Sequence, residues 1–159
     1  MVAADITDPQ AVFTDPVAGA ILDLGEPVVI VLAGVLHCVD DPIAVAGHYM
    51  RAAAPGSFLV VCDYVTENDI LRARIEALMA ATAPSWRVRR ARDVDDILRG
   101  TAVLRPGAGD VAHWRPDRTP LRSITGMPPS LSLYGAVARI SRSKYAGLYL
   151  CWPHSRSSR

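Results

Sequence analysis

The chain has no apolar run that approaches the roughly 20 residues of a membrane-spanning helix. Its first residues, MVAADITDP, carry acids where a secretory signal would need a basic segment and a long apolar one. Its three cysteines lie far apart, with no CxxC pair. These absences predict a cytoplasmic protein without a membrane segment, in which Cys38 and Cys62 stay reduced and act as small apolar residues.

Each end of the chain lacks charge of one sign, although the net charge is only +1. The first 50 residues hold seven acids and no Lys or Arg, whereas the residues from Pro120 onward hold six basic residues and no acid. The acidic half argues against a nucleic-acid-binding face there. The arginines of residues 87–92 and the basic tail make nucleic-acid binding one functional hypothesis, but few aromatic residues accompany them.

The length and composition fit one domain, since 159 residues of which half are apolar can build a single core. We predict that this domain covers residues 1–140 and that residues 141–159 form a basic tail.

Two apolar runs, Val28–Leu32 and Phe58–Cys62, flank an amphipathic segment. Such runs suit strands of a parallel sheet that are buried on both faces. Asp41-Pro42 is a typical helix start, and a helix between the runs would complete a βαβ unit with Ile43, Ala46, Gly47 and Met50 as its buried stripe. The pattern predicts an α/β, partly Rossmann-like fold with a mostly parallel sheet, and ligands would bind where VLHCVDD leaves the first strand.

The remaining elements follow from helix caps and apolar spacing. Asp8-Pro9 and Asp15-Pro16 resemble helix starts, and the spacing predicts a helix from Val17 to Leu24. Thr66–Asp69 resembles a capping box for a helix that runs to about Ala81. The other expected features are a helix over 94–98, strands over 2–5, 101–104 and 133–140, and a loop over 105–129. Three residues of the helix ending near Ala81 are expected to face inward: Leu71, Ile75 and Leu78.

Four pieces of the chain carry a family resemblance. They are ADITDP at residues 4–9, VLHCVDDP at 35–42, APGSFLVV at 54–61, and HWRPD with SLYGAVAR at 113–117 and 132–139. In this order and spacing they resemble the carboxyl-terminal portion of a class I S-adenosylmethionine-dependent methyltransferase. More narrowly, they are similar to an actinobacterial S-adenosyl methyltransferase family that was first catalogued as a domain of unknown function. The resemblance implies S-adenosylmethionine as cofactor and an unidentified small molecule as methyl acceptor.

The resemblance also implies roles in cofactor binding, but it names no catalytic residue. In this superfamily an Asp at the end of the third strand accepts a hydrogen bond from the adenine amine, and the next apolar residue covers the ring. Asp5 and Ile6 match these positions, although Asp5 alone could equally be a turn or cap ahead of Asp8-Pro9. The residues that leave the fourth strand line the methionine and sulfonium end; the matching residues are Gly34, Val35, Leu36 and His37.

His37 has several further interpretations. An imidazole ionises near neutral pH and could act as a general base, but the sequence supplies no orienting partner, which favours a role in the pocket wall. A metal site with Asp40, Asp41 and His48 is disfavoured because the histidines are eleven residues apart and Asp41 is explained as a helix cap. A Cys38 nucleophile is disfavoured because adjacent side chains on a strand end point apart.

Two tryptophans and the HWRPD segment have alternative interpretations as well. Trp86 and Trp114 could line a substrate pocket, although such residues more often belong to the core or cover it. HWRPD is expected to form a structural turn that Pro116 fixes.

The expected methyltransferase sheet is incomplete. No glycine-rich turn precedes the βαβ unit, and no acid stands in the place that would hold the ribose hydroxyls. The resemblance therefore predicts a sheet without its first two strands and with a bare apolar edge. Two functional hypotheses follow: a methyltransferase that is impaired as this chain, and a non-catalytic scaffold that associates with itself or a partner through that edge.

Overall fold

The computed structural model describes residues 3–114 and 130–141. Within these ranges lie five helices, α1 to α5, and five strands, β1 to β5. The helices are α1 Pro9–Thr14, α2 Pro16–Gly19, α3 Pro42–Ala52, α4 Asp69–Met79 and α5 Ala91–Ile97. The strands are β1 Val29–Ala33, β2 Phe58–Val65, β3 Ala102–Val103, β4 Gly109–Asp110 and β5 Ser132–Arg139. No helix among the described residues is long and apolar enough to cross a membrane.

The predicted βαβ unit is confirmed. β1 and β2 pair in parallel, from Val29 opposite Phe58 to Ala33 opposite Cys62, and α3 connects them. α3 begins where expected, because the Asp41 side chain accepts a hydrogen bond from the Ala44 backbone N–H and Pro42 occupies the first turn. The carboxyl ends of β1 and β2 therefore lie side by side.

The sheet has the order β1-β2-β5-β3, with β4 also paired to β5. Strand β5 is antiparallel to each of β2, β3 and β4. The other four strands thus share one direction, as a mostly parallel sheet requires, but β1–β2 is the single parallel pairing among the described strands. The α/β fold class is confirmed, whereas the hydrogen-bonded pairing is more mixed than the sequence predicted.

The core lies on one face of the sheet. There Leu32, Leu59 and Val61 pack with α3 and α5 residues such as Ala46 and Ile97. On the opposite face, Val29 and Val31 of β1 are 61% and 60% exposed. The prediction that both apolar runs are buried on two faces was therefore wrong for β1, which has one covered face and forms an edge of the described sheet.

Several details of the helices differ from the expectations. In α3, Ile43 is exposed while Val45 and Tyr49 are buried, so the buried stripe is rotated about the helix axis. α4 is capped by Asn68, whose side chain accepts from the Ile70 and Leu71 backbone N–H groups; Thr66 does not cap it. Leu78 of α4 is exposed.

The amino-terminal elements are also shorter than expected. The helix expected up to Leu24 ends at Gly19. Residues 3–5 form no strand. Val2, Pro116 and the tail beyond Ser141 lie outside the described residues, so the strand start, the turn fixed by Pro116 and the basic tail stay predictions.

Candidate active site

A turn follows β1 directly and contains four of the six predicted site residues. Gly34 adopts a positive φ of 63°, which favours glycine, and its N–H donates to the Cys62 carbonyl of β2 at 2.8 Å. A Cβ built on Gly34 would meet no atom within 4 Å, so the backbone here borders open space. Leu36–Cys38 then form a single 3-10 turn. The carboxyl end of β1 is thus an open, glycine-entered turn beside β2.

His37 has an orienting partner that sequence reasoning missed. Its Nδ1 lies 2.9 Å from Oδ1 of Asp63, and both side chains are buried, His37 at 6% exposure and Asp63 at 0%. The same oxygen accepts the Tyr64 backbone N–H at 2.8 Å. A signal was present, since Asp63 follows the Cys62 position of β2 that pairs with the last residue of β1. The carboxyl ends of neighbouring parallel strands meet, so a polar residue at each could have been paired.

The aromatic ring of Trp86 stacks on His37. The two ring centroids are 3.7 Å apart with an interplanar angle of 37°. The Arg87 backbone N–H donates to the His37 carbonyl at 2.8 Å, which fixes the segment that carries Trp86. Trp86 therefore contacts one side of the imidazole. The pocket wall that the sequence suggested for Trp86 would lie next to His37.

Arg89 completes the buried polar cluster. Its guanidinium donates to the Leu36 carbonyl at 2.9 Å and also to the Val39 carbonyl. These two hydrogen bonds stabilise the turn after β1. Burial lowers the pKa of Arg89, and the negative charge of Asp63 acts in the opposite direction. Three buried atoms have no hydrogen-bond partner among the described residues: Asp63 Oδ2, Trp86 Nε1 and Arg89 Nε.

Comparisons with known proteins identify the family of this chain. The S-adenosyl methyltransferase family model matches residues 1–141. The chain belongs to this family. No curated protein matches it. A candidate methyltransferase from Thermobifida fusca is similar, at 25% identity and a TM-score of 0.74, over 87% of this chain and 52% of that one. A DUF574 family protein from Streptomyces avermitilis is similar at 26% identity and a TM-score of 0.74. The match covers 87% of this chain and 53% of that one.

The methyltransferase-like fold is thus partial: the chain spans about half the length of these two solved structures. That share agrees with the expected partial methyltransferase fold.

Asp5 suits an amine donor such as that of adenine. Its side chain is exposed, and its Oδ1 accepts from both the N–H and the hydroxyl of Thr7 at 2.8 Å, which lowers the pKa of Asp5. Its ionised form is therefore favoured, although the same bonds make Asp5 a turn residue. Ile6 is half-buried against the core and its carbonyl accepts from the Tyr49 hydroxyl at 3.2 Å.

The residues of the turn after β1 fit a ligand unequally. Gly34 is open, and Val35 is half-buried. Leu36 is fully buried and serves the core in this structure. The His37 ring is buried and contacts the Asp63 carboxylate through Nδ1. The structure thus brings Gly34, Val35, Leu36 and His37 together in one turn, and their role in cofactor binding stays a prediction.

The other sequence candidates lie apart from this cluster or have other partners. The described residues contain no group of three or more potential metal ligands, and His48 is exposed on α3. Cys38 is exposed, so it does not act as a buried apolar residue, whereas Cys62 is half-buried and burial raises its pKa. Trp114 donates its indole N–H to the Gly107 carbonyl at 3.0 Å and so covers a loop.

The arginine cluster is occupied by contacts within the chain. Arg90 forms ion pairs with Asp69 at 2.6 Å and Glu67 at 3.8 Å, and Arg87 donates to two backbone carbonyls. Because acids neutralise part of this segment, it offers a weaker attraction to phosphates than its sequence suggested.

Proposed function

We propose that this chain is a cytoplasmic S-adenosylmethionine-dependent methyltransferase that acts on a small molecule, and that it binds its cofactor weakly as it stands. The observation that carries the proposal is the turn from Gly34 to His37, held at the carboxyl end of β1 and tied to Asp63 at the end of β2. In α/β sheets this is where ligands lie. Family membership supplies the class of reaction.

The chain offers two sets of residues to the cofactor. The Asp5 carboxylate would accept from the adenine amine, with Ile6 against the ring, and the turn after β1 would border the methionine end. When bound, S-adenosylmethionine supplies an electrophilic methyl group on a sulfonium. The protein's part is then mainly to orient acceptor and methyl carbon in line, which is where most of the rate gain of such a displacement arises.

Weak binding is proposed because the described residues contain no glycine-rich turn ahead of β1 and no acid placed for the ribose. Glycines there let the backbone approach a cofactor, and the acid holds two hydroxyls. The chain spans about half the length of the relatives of known structure, so the activity of the whole enzyme is a proposal for this chain.

The test is calorimetric titration of the folded chain with S-adenosylhomocysteine. We expect measurable binding that Gly34→Val weakens by about tenfold or more, because the side chain enters the open space and strains a positive φ. Gly107→Val is the matched control: it has the same kind of backbone, with φ 112° and open space, outside the turn. No heat change with the folded protein at millimolar ligand, or equal loss in both variants, contradicts the proposal.

A second function is favoured by the exposure of Val29 and Val31 on an edge strand. An apolar edge with unpaired backbone groups can add a strand from another chain. We propose, as the alternative, a non-catalytic scaffold that associates with a second copy through β1.

Sedimentation velocity over a range of concentrations tests this alternative. Val31→Lys is expected to shift the protein to monomer, whereas Ile70→Lys, at an equally exposed apolar position on α4, leaves association unchanged. A wild-type chain that stays monomeric, or a loss that Ile70→Lys shares, rules against the scaffold.

A further inference from the structure

The ring nitrogens of His37 are in different surroundings. Nδ1 faces the Asp63 carboxylate at 2.9 Å, and an ionised carboxylate can only accept, so Nδ1 carries the proton. No described residue forms a hydrogen bond to Nε2, and Nε2 is not among the fully buried atoms that lack a partner. In the neutral ring, Nε2 therefore holds a lone pair that is available to a ligand.

A purely structural role explains this cluster poorly. A buried polar atom without a partner is costly to remove from water, and three such atoms belong to residues that contact His37 or its turn: Asp63 Oδ2, Trp86 Nε1 and Arg89 Nε. Apolar side chains of similar size would avoid that cost. Polar groups buried at such expense concentrate at functional sites, and this cluster lies at the paired carboxyl ends of β1 and β2.

We propose that His37 removes the proton from the methyl acceptor and that Asp63 is the positioning residue that fixes its tautomer. This inference rests on the proposed methyltransferase function and adds a base and an acceptor class to it. Trp86 lies against the imidazole ring, and the Arg89 guanidinium donates to the backbone of the turn at Leu36.

An acceptor hydroxyl gives its proton to Nε2, and its oxygen attacks the methyl carbon. The new C–O bond forms while the C–S bond breaks, and the sulfonium becomes a neutral thioether. The imidazolium that results lies against the Asp63 carboxylate and later returns the proton to solvent.

A phenol-type hydroxyl suits an imidazole base as the nucleophile. A phenol, whose pKa is about 10, gives up its proton far more easily than an aliphatic alcohol does. An amine attacks through its lone pair and a thiol ionises with little help, so neither has the same need for a base. The proposed acceptor is a small aromatic molecule with a free hydroxyl.

Long-range proton–nitrogen NMR of the imidazoles in the whole chain tests the proposal. We expect Nδ1 of neutral His37 to be protonated and Nε2 to be bare, and phenol added with S-adenosylhomocysteine to shift the Nε2 resonance. Toluene has the same shape without the hydroxyl and is expected to leave it unshifted. Exposed His48 is the internal control. A proton on Nε2, or equal shifts with phenol and toluene, overturns the proposal.

Asp63→Asn tests the positioning role. An amide can donate to Nδ1, so we expect the proton of neutral His37 to move wholly or partly to Nε2, an effect that a merely structural contact would not produce. An unchanged tautomer overturns the role of Asp63. Failure of the wild type to bind S-adenosylhomocysteine would contradict the proposed function. The tautomer of His37 is measured without any ligand, so it tests the role of Asp63 separately.

Discussion

At the scale of single residues, Arg89 joins the turn after β1 to the segment that follows α4. Its side chain donates to the carbonyls of Leu36 and Val39, which lie 53 and 50 positions away in the sequence, and its backbone N–H donates to the Tyr64 carbonyl at 3.4 Å. Arginine suits this place because its planar group can serve two acceptors at once. The shape of the turn thus depends on a residue from a distant part of the sequence.

Replacement of Arg89 by alanine is expected to lower the free energy of unfolding by about 2 kcal/mol. The Val39 carbonyl loses its side-chain donor and the Asp63 charge loses a nearby cation. Arg87→Ala is the control at an exposed neighbour and is expected to change stability by less than about 0.5 kcal/mol. Urea unfolding of both variants makes the comparison, and equal stabilities would show that Arg89 braces nothing.

The cysteines give a second prediction at this scale. Burial, and secondarily the negative Asp63, raise the pKa of the Cys62 thiol, and thiolate is the reactive form. In a Cys151→Ser background at pH 8, we expect exposed Cys38 to react with a thiol reagent much faster than Cys62. Cys38→Ser should then remove the fast phase. A fast phase that survives in Cys38→Ser would contradict the difference in burial.

At the scale of elements, the pairing of β5 with β2 leaves no room for a side chain at Gly135. It pairs with β2 along eight residues, from Ser132 opposite Val65 to Arg139 opposite Phe58. At Gly135 a built Cβ would lie 2.2 Å from the Val61 carbonyl oxygen and 2.9 Å from Cys62 Cα. Close contact with the β2 backbone therefore requires glycine at this position of SLYGAVAR. The missing side chain allows antiparallel β5 to pair with β2.

Gly135→Ala is expected to cost about 3 kcal/mol of stability, because the methyl group would overlap backbone atoms that cannot turn away. Gly109→Ala is the matched control in β4, opposite Gly135, where a Cβ meets nothing within 4 Å. Thermal unfolding of the two variants decides the matter. Similar midpoints for both would show that β5 relaxes away from β2 without cost.

The sequence predicted elements better than the way they pack. β1, α3 and β2 could be predicted because their caps and apolar runs are local signals. Ile43 and Val31 were placed wrongly because burial depends on which neighbours cover a face, and a run of apolar residues does not identify its neighbours. The cap of α4 was misplaced by two residues because Thr66 and Asn68 are both good capping residues.

The candidate site shows the same division. The turn at Gly34 and the position of His37 were predictable from where β1 ends. Asp63, Trp86 and Arg89 were not, because they approach His37 from other elements at long sequence separation. The pairing of two strand ends could have suggested Asp63, but no local pattern indicates a stacked tryptophan.

At the scale of the whole molecule, the central strand of the sheet is better paired and better buried than the edge strand β1. β2 is paired on both sides, to β1 and to β5, whereas β1 pairs with only one of the described strands and has one exposed face. The core packs against a single side of this sheet. Stability should therefore be concentrated in β2 and β5 and decline towards β1.

Native-state hydrogen exchange is expected to show this gradient. Amides of β2 from Leu59 to Cys62 should exchange last, near the global unfolding limit, and amides of β1 should exchange faster. Equal protection of both strands at low protein concentration would mean that the β1 edge is covered, and would contradict the gradient. Protection of β1 that grows with concentration would indicate association through that edge.

The placement of β5 also has a consequence during synthesis. β1, α3 and β2 are contiguous in the chain and can assemble as soon as Val65 has emerged from the ribosome, but the partner on the other side of β2 arrives only after residues 66–131. At roughly 5–20 residues per second, the inner strand of the mature sheet spends several seconds as an outer one. Chaperones that recognise apolar strands would meet the nascent protein at β2 in that interval, and a translational pause within residues 66–131 would lengthen it.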